Sequence, residues 1–252
     1  MDGACGIGRA DTEAVHGAGP HVPSLNYRKG RGFQMSFFEL IRENGVYLVA
    51  AMGKTLELTL LSLVFASVIG LFFGLLNVSK KKIFHVIANV YIDCIRGVPL
   101  IVLAFFVYFG VPMAIHVRLS ALVAGIISLS MNAGAYMAEI VRAGIQSIDK
   151  GQMEAARSLG LPYGKAMSKV VLPQAIRTMI PSIINQFIMT LKDTSILSVI
   201  GFPELVKAGQ IVIARNFETF RMWAIIAVMY LIVITTLSKV ARALERKISY
   251  GK

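Results

Sequence analysis

The chain has 252 residues, of which 56% are hydrophobic and 16% charged, and its mean hydropathy is +0.66. Soluble domains carry about 25% charged residues; too few polar side chains remain here to cover a soluble core, which excludes a globular water-soluble fold. The net charge of +12 does not mark a nucleic-acid binder, because the lysines and arginines sit between apolar runs and not on one face or tail.

In chain order, residues 1–34 are glycine-rich and hold no long apolar run, and they lack the charged start, apolar centre and cleavage site of a secretory signal. They read as a disordered or non-native N-terminal extension. The folded unit is expected over 35–252, opening with "MSFFELIRENGVYLVAAMGKT", a short amphipathic piece that leads into a first span. A span needs about 20 mostly apolar residues. Charge-free runs at 58–78, 97–117 and 119–138, together with two further apolar stretches, predict five transmembrane helices at 48–77, 88–112, 119–144, 178–202 and 220–244. Only helices satisfy their own backbone over such lengths in lipid. Gly70 and Gly74, four apart, permit close packing of the first helix. The "GKT" at 53–55 lacks the upstream glycine of a phosphate-binding loop, Leu48 standing in its place. Cys5 and Cys94 make no disulfide or metal framework, and the four histidines are scattered, so no catalytic site is expected.

Cations cluster after the first predicted span (Lys80, Lys81, Lys82), between the third and fourth (Arg142, Lys150, Arg157, Lys165, Lys169, Arg177) and after the fifth (Lys239, Arg242, Arg246, Lys247). By the positive-inside rule those segments face the cytoplasm, which puts the N-terminus outside and the C-terminus inside.

Between the third and fourth spans lies "EAARSLGLPYGKAMSKVVLP", a basic insert with small residues and two prolines. Gly160 suits the left-handed end of a short helix, and Pro162 suits the first turn of another. Pro173 is expected to end that second helix, giving two short helices across the cytoplasmic face. A solvated loop and a docking element both fit these residues.

Glu154, Ala155, Ala156, Gly160, Val170, Leu172 and Pro173 stand at the anchor positions of a known pattern: this insert resembles the EAA motif of ABC importer permeases. "RGVPL" at 96–100, "AYMAEIVRAGI" at 135–145 and "NQFIMTLKDTSILSVIG" at 185–201 are similar to the polar amino acid permeases, the group of the histidine-, glutamine- and arginine-type importers. The resemblance covers about residues 45–247. It implies an all-α membrane protein of type I ABC importer permease architecture, with a cytoplasmic coupling helix in the segment 150–173. It further implies that Glu154, Ala155, Ala156, Ser158, Gly160 and Leu161 meet a separate cytoplasmic ATPase. That ATPase would hold ATP and magnesium, this chain carrying no cofactor and being no enzyme. The implied partners are the ATPase dimer, a second permease copy or sister chain, an extracellular binding protein, the amino acid substrate and the bilayer of a bacterial cytoplasmic membrane.

Ionisable groups within a span are costly and point to function. Lys192 and Asp193 lie about 10 residues, roughly 15 Å, from the outer end of the fourth predicted helix, and Asn132 is expected to share their polar layer. Tyr136 is on the face of Asn132. Asn132, Tyr136, Lys192, Asp193, Thr194 and Ser195 are the candidate pathway residues. Arg96, Glu139 and Arg142 are candidates for structural charge pairing, Glu139 with either arginine. The rival function is an ion-coupled secondary amino acid transporter, a class often built on inverted repeats; no repeat is visible here.

Overall fold

The computed structural model describes residues 36–79 and 81–249, with side chains to residue 243. The extension at 1–34, and with it Cys5, lies outside the described residues. Helix α1, Phe37–Asn77, begins at a capping box: the Ser36 hydroxyl accepts the Glu39 N–H at 3.3 Å, and the Glu39 carboxylate accepts the Ser36 N–H at 2.9 Å. Nothing interrupts the chain after it, so the expected amphipathic piece and first span are one helix of 41 residues. At 1.5 Å per residue it is about 60 Å long, twice the hydrocarbon thickness.

The second predicted span is broken. Helices α2, Lys82–Gly97, and α3, Leu100–Ile115, meet at a 100° bend. The cause is local: Pro99 pushes Val98 into the extended region (φ −102°, ψ 131°), and Gly97 has no side chain to hold the last turn. Inside α3 a π-helical stretch at Phe106–Gly110 precedes Pro112, widening the backbone where the proline removes a hydrogen bond.

Helix α4, Ala121–Gln146, is capped by Ser120; α5, Lys150–Ser158, is the short helix of the insert; α6 runs Tyr163–Ile200, α7 Leu205–Asn216 and α8 Thr219–Ser249. By length and apolarity α1, α4, α6 and α8 can each cross a membrane, and the bent pair α2–α3 makes the fifth crossing. The described residues are helical apart from short connections, and five crossings agree with the sequence expectation. Two details differ. Pro173 does not end a helix, because a π-helical stretch at Met167–Val171 absorbs it and α6 continues. Helix α7 was not expected at all.

Helix α4 is the hub. A Cβ on Gly70 would stand 2.4 Å from the Met137 Cβ, and one on Gly74 2.6 Å from that of Val141, so α1 and α4 touch backbone to side chain where the GxxxG spacing predicts. On its other flank Gly144 admits Met179 of α6, whose Cγ would lie 2.1 Å from an added Cβ. Tyr91 of α2 stacks on Phe73, centroids 4.0 Å apart, and donates to the Met131 carbonyl at 2.8 Å. At the end of the bundle that holds α7, Leu40, Leu48 and Met52 of α1 pack with Leu205 and Val212 of α7 and Met222 of α8.

Candidate functional site

The insert between α4 and α6 folds as a helical hairpin. Asp149 caps α5 by accepting the Gly151 N–H at 2.6 Å, and the helix ends where Gly160 takes φ +84°. The Leu161 N–H then reaches back to the Ala156 carbonyl at 3.2 Å, closing the turn before Pro162. Glu154, Ala155 and Ser158 are exposed, Leu161 is half-buried, and Leu159 stands out at 84% exposure. Ala156 turns inward and is buried. Of the two alanines expected to face a partner, the geometry therefore presents Ala155 and uses Ala156 for closure of the hairpin.

In the membrane part, α6 exposes two unlike faces. Ile176 and Phe187 are exposed on one side and suit lipid. On the opposite side Gln174, Thr178, Ser182, Asn185 and Lys192 are all exposed, and at 3.6 residues per turn they fall within about 80° of arc. Hydrocarbon penalises such a stripe, so this face is turned to water or to protein. Helix α4 carries a more covered polar arc: Asn132, Tyr136, Glu139 and Gln146 lie within about 80° as well, with Gln146 exposed, Tyr136 and Glu139 half-buried and Asn132 buried. The two stripes meet at a recess of about 300 Å³ lined by Glu139, Ala143 and Ser147 of α4 and by Thr178 and Ser182 of α6.

The packing sets the levels along this face. Gly144 sits beside Met179, while Ala133 and Met137 cluster with Ile183. Asn185 is thus level with Tyr136, and Lys192 lies about one turn beyond Asn132, toward the α4 N-terminus, instead of sharing its layer. Lys192 is exposed on the stripe; Asp193, the next residue round, is half-buried. Thr194 is buried, its hydroxyl donating to the Leu191 carbonyl at 2.6 Å, and the Ser195 hydroxyl donates to the Lys192 carbonyl at 2.7 Å. Both hydroxyls serve the passage from α-helix to the 3₁₀ turn at Thr194–Ile200. Asn132 is buried and Tyr136 half-buried.

Glu139 pairs with Arg142, not with Arg96: the Arg142 Nε donates to the carboxylate at 2.9 Å, and its other nitrogens reach Glu139 and Gln146. Arg96 lies instead over the Tyr136 ring, 5.0 Å from the centroid.

Two features escaped sequence reasoning. The α6 stripe was readable as polar residues at i, i+4, i+8 and i+11 within an apolar segment. The second is Glu204, fully buried beyond the C-terminal end of α6. It accepts the Val206 and Lys207 N–H groups at 2.8 and 2.7 Å and the Tyr230 hydroxyl at 3.2 Å. Burial pushes its carboxyl up to about 7 against those stabilising bonds. The adjacent Leu205 N–H donates to Thr55 of α1 at 3.2 Å, so one knot ties α1, α7 and α8.

Residues 66–250 match the model of the family described as "Binding-protein-dependent transport system inner membrane component". The chain belongs to that family. The glutamine transport system permease protein GlnP of Escherichia coli (strain K12) is 40% identical over 201 residues, which are 79% of this chain and 92% of the relative. A crystal structure of an amino acid ABC transporter with histidines superposes with a TM-score of 0.80 at 37% identity, covering 85% of this chain and all of the other. An inward-facing form of the MetNI methionine ABC transporter shares the fold at a TM-score of 0.67 and 20% identity. This inner membrane component is a multi-pass transporter subunit and not an enzyme; ATP hydrolysis belongs to a separate subunit of such systems. The ion-coupled secondary transporter gives way to this reading.

Proposed function

We propose that this chain forms half of the translocation pathway of an ATP-driven importer of polar amino acids, the unit 35–252 working with a second permease copy or a sister chain. The exposed polar face of α6 carries the reading, since a spanning helix with both a lipid face and a water face needs a pathway beside it. The relatives that handle glutamine or histidine support the substrate class. The hairpin around α5 docks on a cytoplasmic ATPase that holds ATP and magnesium, and an extracellular binding protein delivers substrate from the other side. Glu154, Ala155, Ser158 and Leu159 form the docking edge, with Gly160 making the turn. Cation placement orients the chain with the N-terminus outside and the C-terminus in the cytoplasm. Closure of the ATPase dimer then moves a rigid hairpin that biases a two-state bundle.

The test is co-purification with its ATPase from membranes, comparing wild type with Glu154→Arg and Gly160→Pro. Proline locks φ near −65° and cannot adopt +84°. Loss of the ATPase with normal membrane insertion supports the proposal; equal retention in both variants overturns the docking role.

A further inference from the structure

Resting on the docking reading above, we propose that α2 is a second transmission rod. The corner between α1 and α2 takes up the motion of the hairpin, and a cluster of Asn77, His85 and Asn89 passes it along α2 to Tyr136 of α4. The corner shares the hairpin's core. Val78, which follows the last turn of α1, packs into the apolar cluster that holds Met153 of α5, Met167 and Val171 of α6, and Val141 and Ile145 of α4. Only residues 78–81 separate α1 from α2, so a shift of that cluster reaches the start of α2 with little slack.

Three side chains bolt the corner together. The His85 Nδ1 lies 2.7 Å from the Asn77 backbone carbonyl oxygen, an atom that only accepts, so this nitrogen donates. The Asn89 amide donates to the His85 Nε2 at 3.0 Å, and the Asn77 amide donates to the Asn89 Oδ1 at 2.6 Å. Asn77 is buried and its Oδ1 has no partner among the described residues, so the bond to Asn89 fixes its side chain. Beyond the cluster α2 is one unbroken helix of 16 residues, about 24 Å long. Tyr91 seats it by stacking on Phe73 of α1 and donating to the Met131 carbonyl of α4. At its far end Arg96 lies over the Tyr136 ring. The break at Val98–Pro99 follows at once, a hinge that lets α2 swing without dragging α3. A contiguous chain of packed and hydrogen-bonded groups therefore runs from the hairpin to the polar arc of α4.

The experiment measures amino acid uptake per ATP hydrolysed by the permease–ATPase complex in proteoliposomes, with its binding protein outside and a radiolabelled mixture of the protein amino acids as probe. His85→Phe keeps a ring but removes both bonds; it is expected to lower uptake per ATP at least about fivefold while ATP hydrolysis stays within about twofold of wild type. His85→Gln offers one donor and one acceptor and restores most of the ratio. Val78→Ala lowers the ratio about twofold, and adding it to His85→Phe lowers the ratio no further, because the two residues act in series. Asn89→Leu cuts the cluster from the α2 side and is read in the same way where His85→Phe does not insert. An unchanged ratio in His85→Phe, no rescue by glutamine, or a double variant whose loss is the product of the single losses overturns this inference and leaves the importer reading standing. Uptake of no amino acid by a wild-type complex that hydrolyses ATP overturns both.

Discussion

Two polar regions are set into this apolar molecule, and they are built in opposite ways. At Glu204 both carboxylate oxygens have partners, the residue is fully buried, and α7 and α8 meet at its carboxyl. Along α6 the polar side chains of Gln174, Thr178, Ser182, Asn185 and Lys192 are exposed, and the hydrogen bonds that Gln174, Thr178 and Asn185 donate stay within the helix or reach Gln152. A closed network rigidifies a fold, whereas polar groups with spare hydrogen-bonding capacity await water or a ligand. The first region is a structural knot that holds α1, α7 and α8 together at the end of the bundle. The second is the face proposed above to line the pathway. Their residue types alone do not distinguish them; the difference lies in how completely their bonds are made.

That contrast breaks most visibly at the knot. Glu204→Ala leaves two buried N–H groups and the Tyr230 hydroxyl without an acceptor and should lower stability by about 3 kcal/mol, read as a drop in Tm of the detergent-solubilised protein. The same carboxyl sets a pH dependence. Its folded pKa is raised above the ordinary carboxylate range to about 7, so its contribution is fully present at pH below that range and is lost as pH rises through about 7. Wild-type Tm should fall over this window, and Glu204→Gln, which cannot ionise, should flatten the slope. A slope unchanged by Glu204→Gln would show that another group titrates. A smaller effect, about 1 kcal/mol, is expected for Gly160→Ala, which puts a Cβ on a residue at φ +84°. The smallest belongs to the open stripe: Ser182→Ala should change stability by less than about 0.5 kcal/mol. A stability loss there as large as at Glu204 would erase the distinction.

Much of this was legible before any coordinates. Apolar runs located the crossings, Gly70 and Gly74 marked a close helix contact, and Gly160 marked the left-handed turn. The break at Val98–Pro99 was hidden because the apolar run passes through it uninterrupted, and hydropathy does not register a backbone bend. Helix α7 was hidden because Lys207, Gln210 and Arg215 dilute its apolar residues below any span signal. Lys192 and Asp193 stood out by charge, and attention to charge passed over the uncharged Thr178, Ser182 and Asn185 on the same face. Thr194 and Ser195 adjoin that charge in sequence, yet the helix tightens at this point and turns both hydroxyls to the backbone.

The central claim, that one face of α6 lines a water-filled pathway while the opposite face meets lipid, is tested most directly by cysteine accessibility in the assembled transporter. With Cys5 and Cys94 replaced by serine, single cysteines at Ser182, Asn185, Ile176 and Phe187 are challenged with a charged, membrane-impermeant thiol reagent applied from either side. The account predicts modification at 182 and 185 and protection at 176 and 187. Equal protection of all four, or modification of 176 and 187 alone, would contradict it.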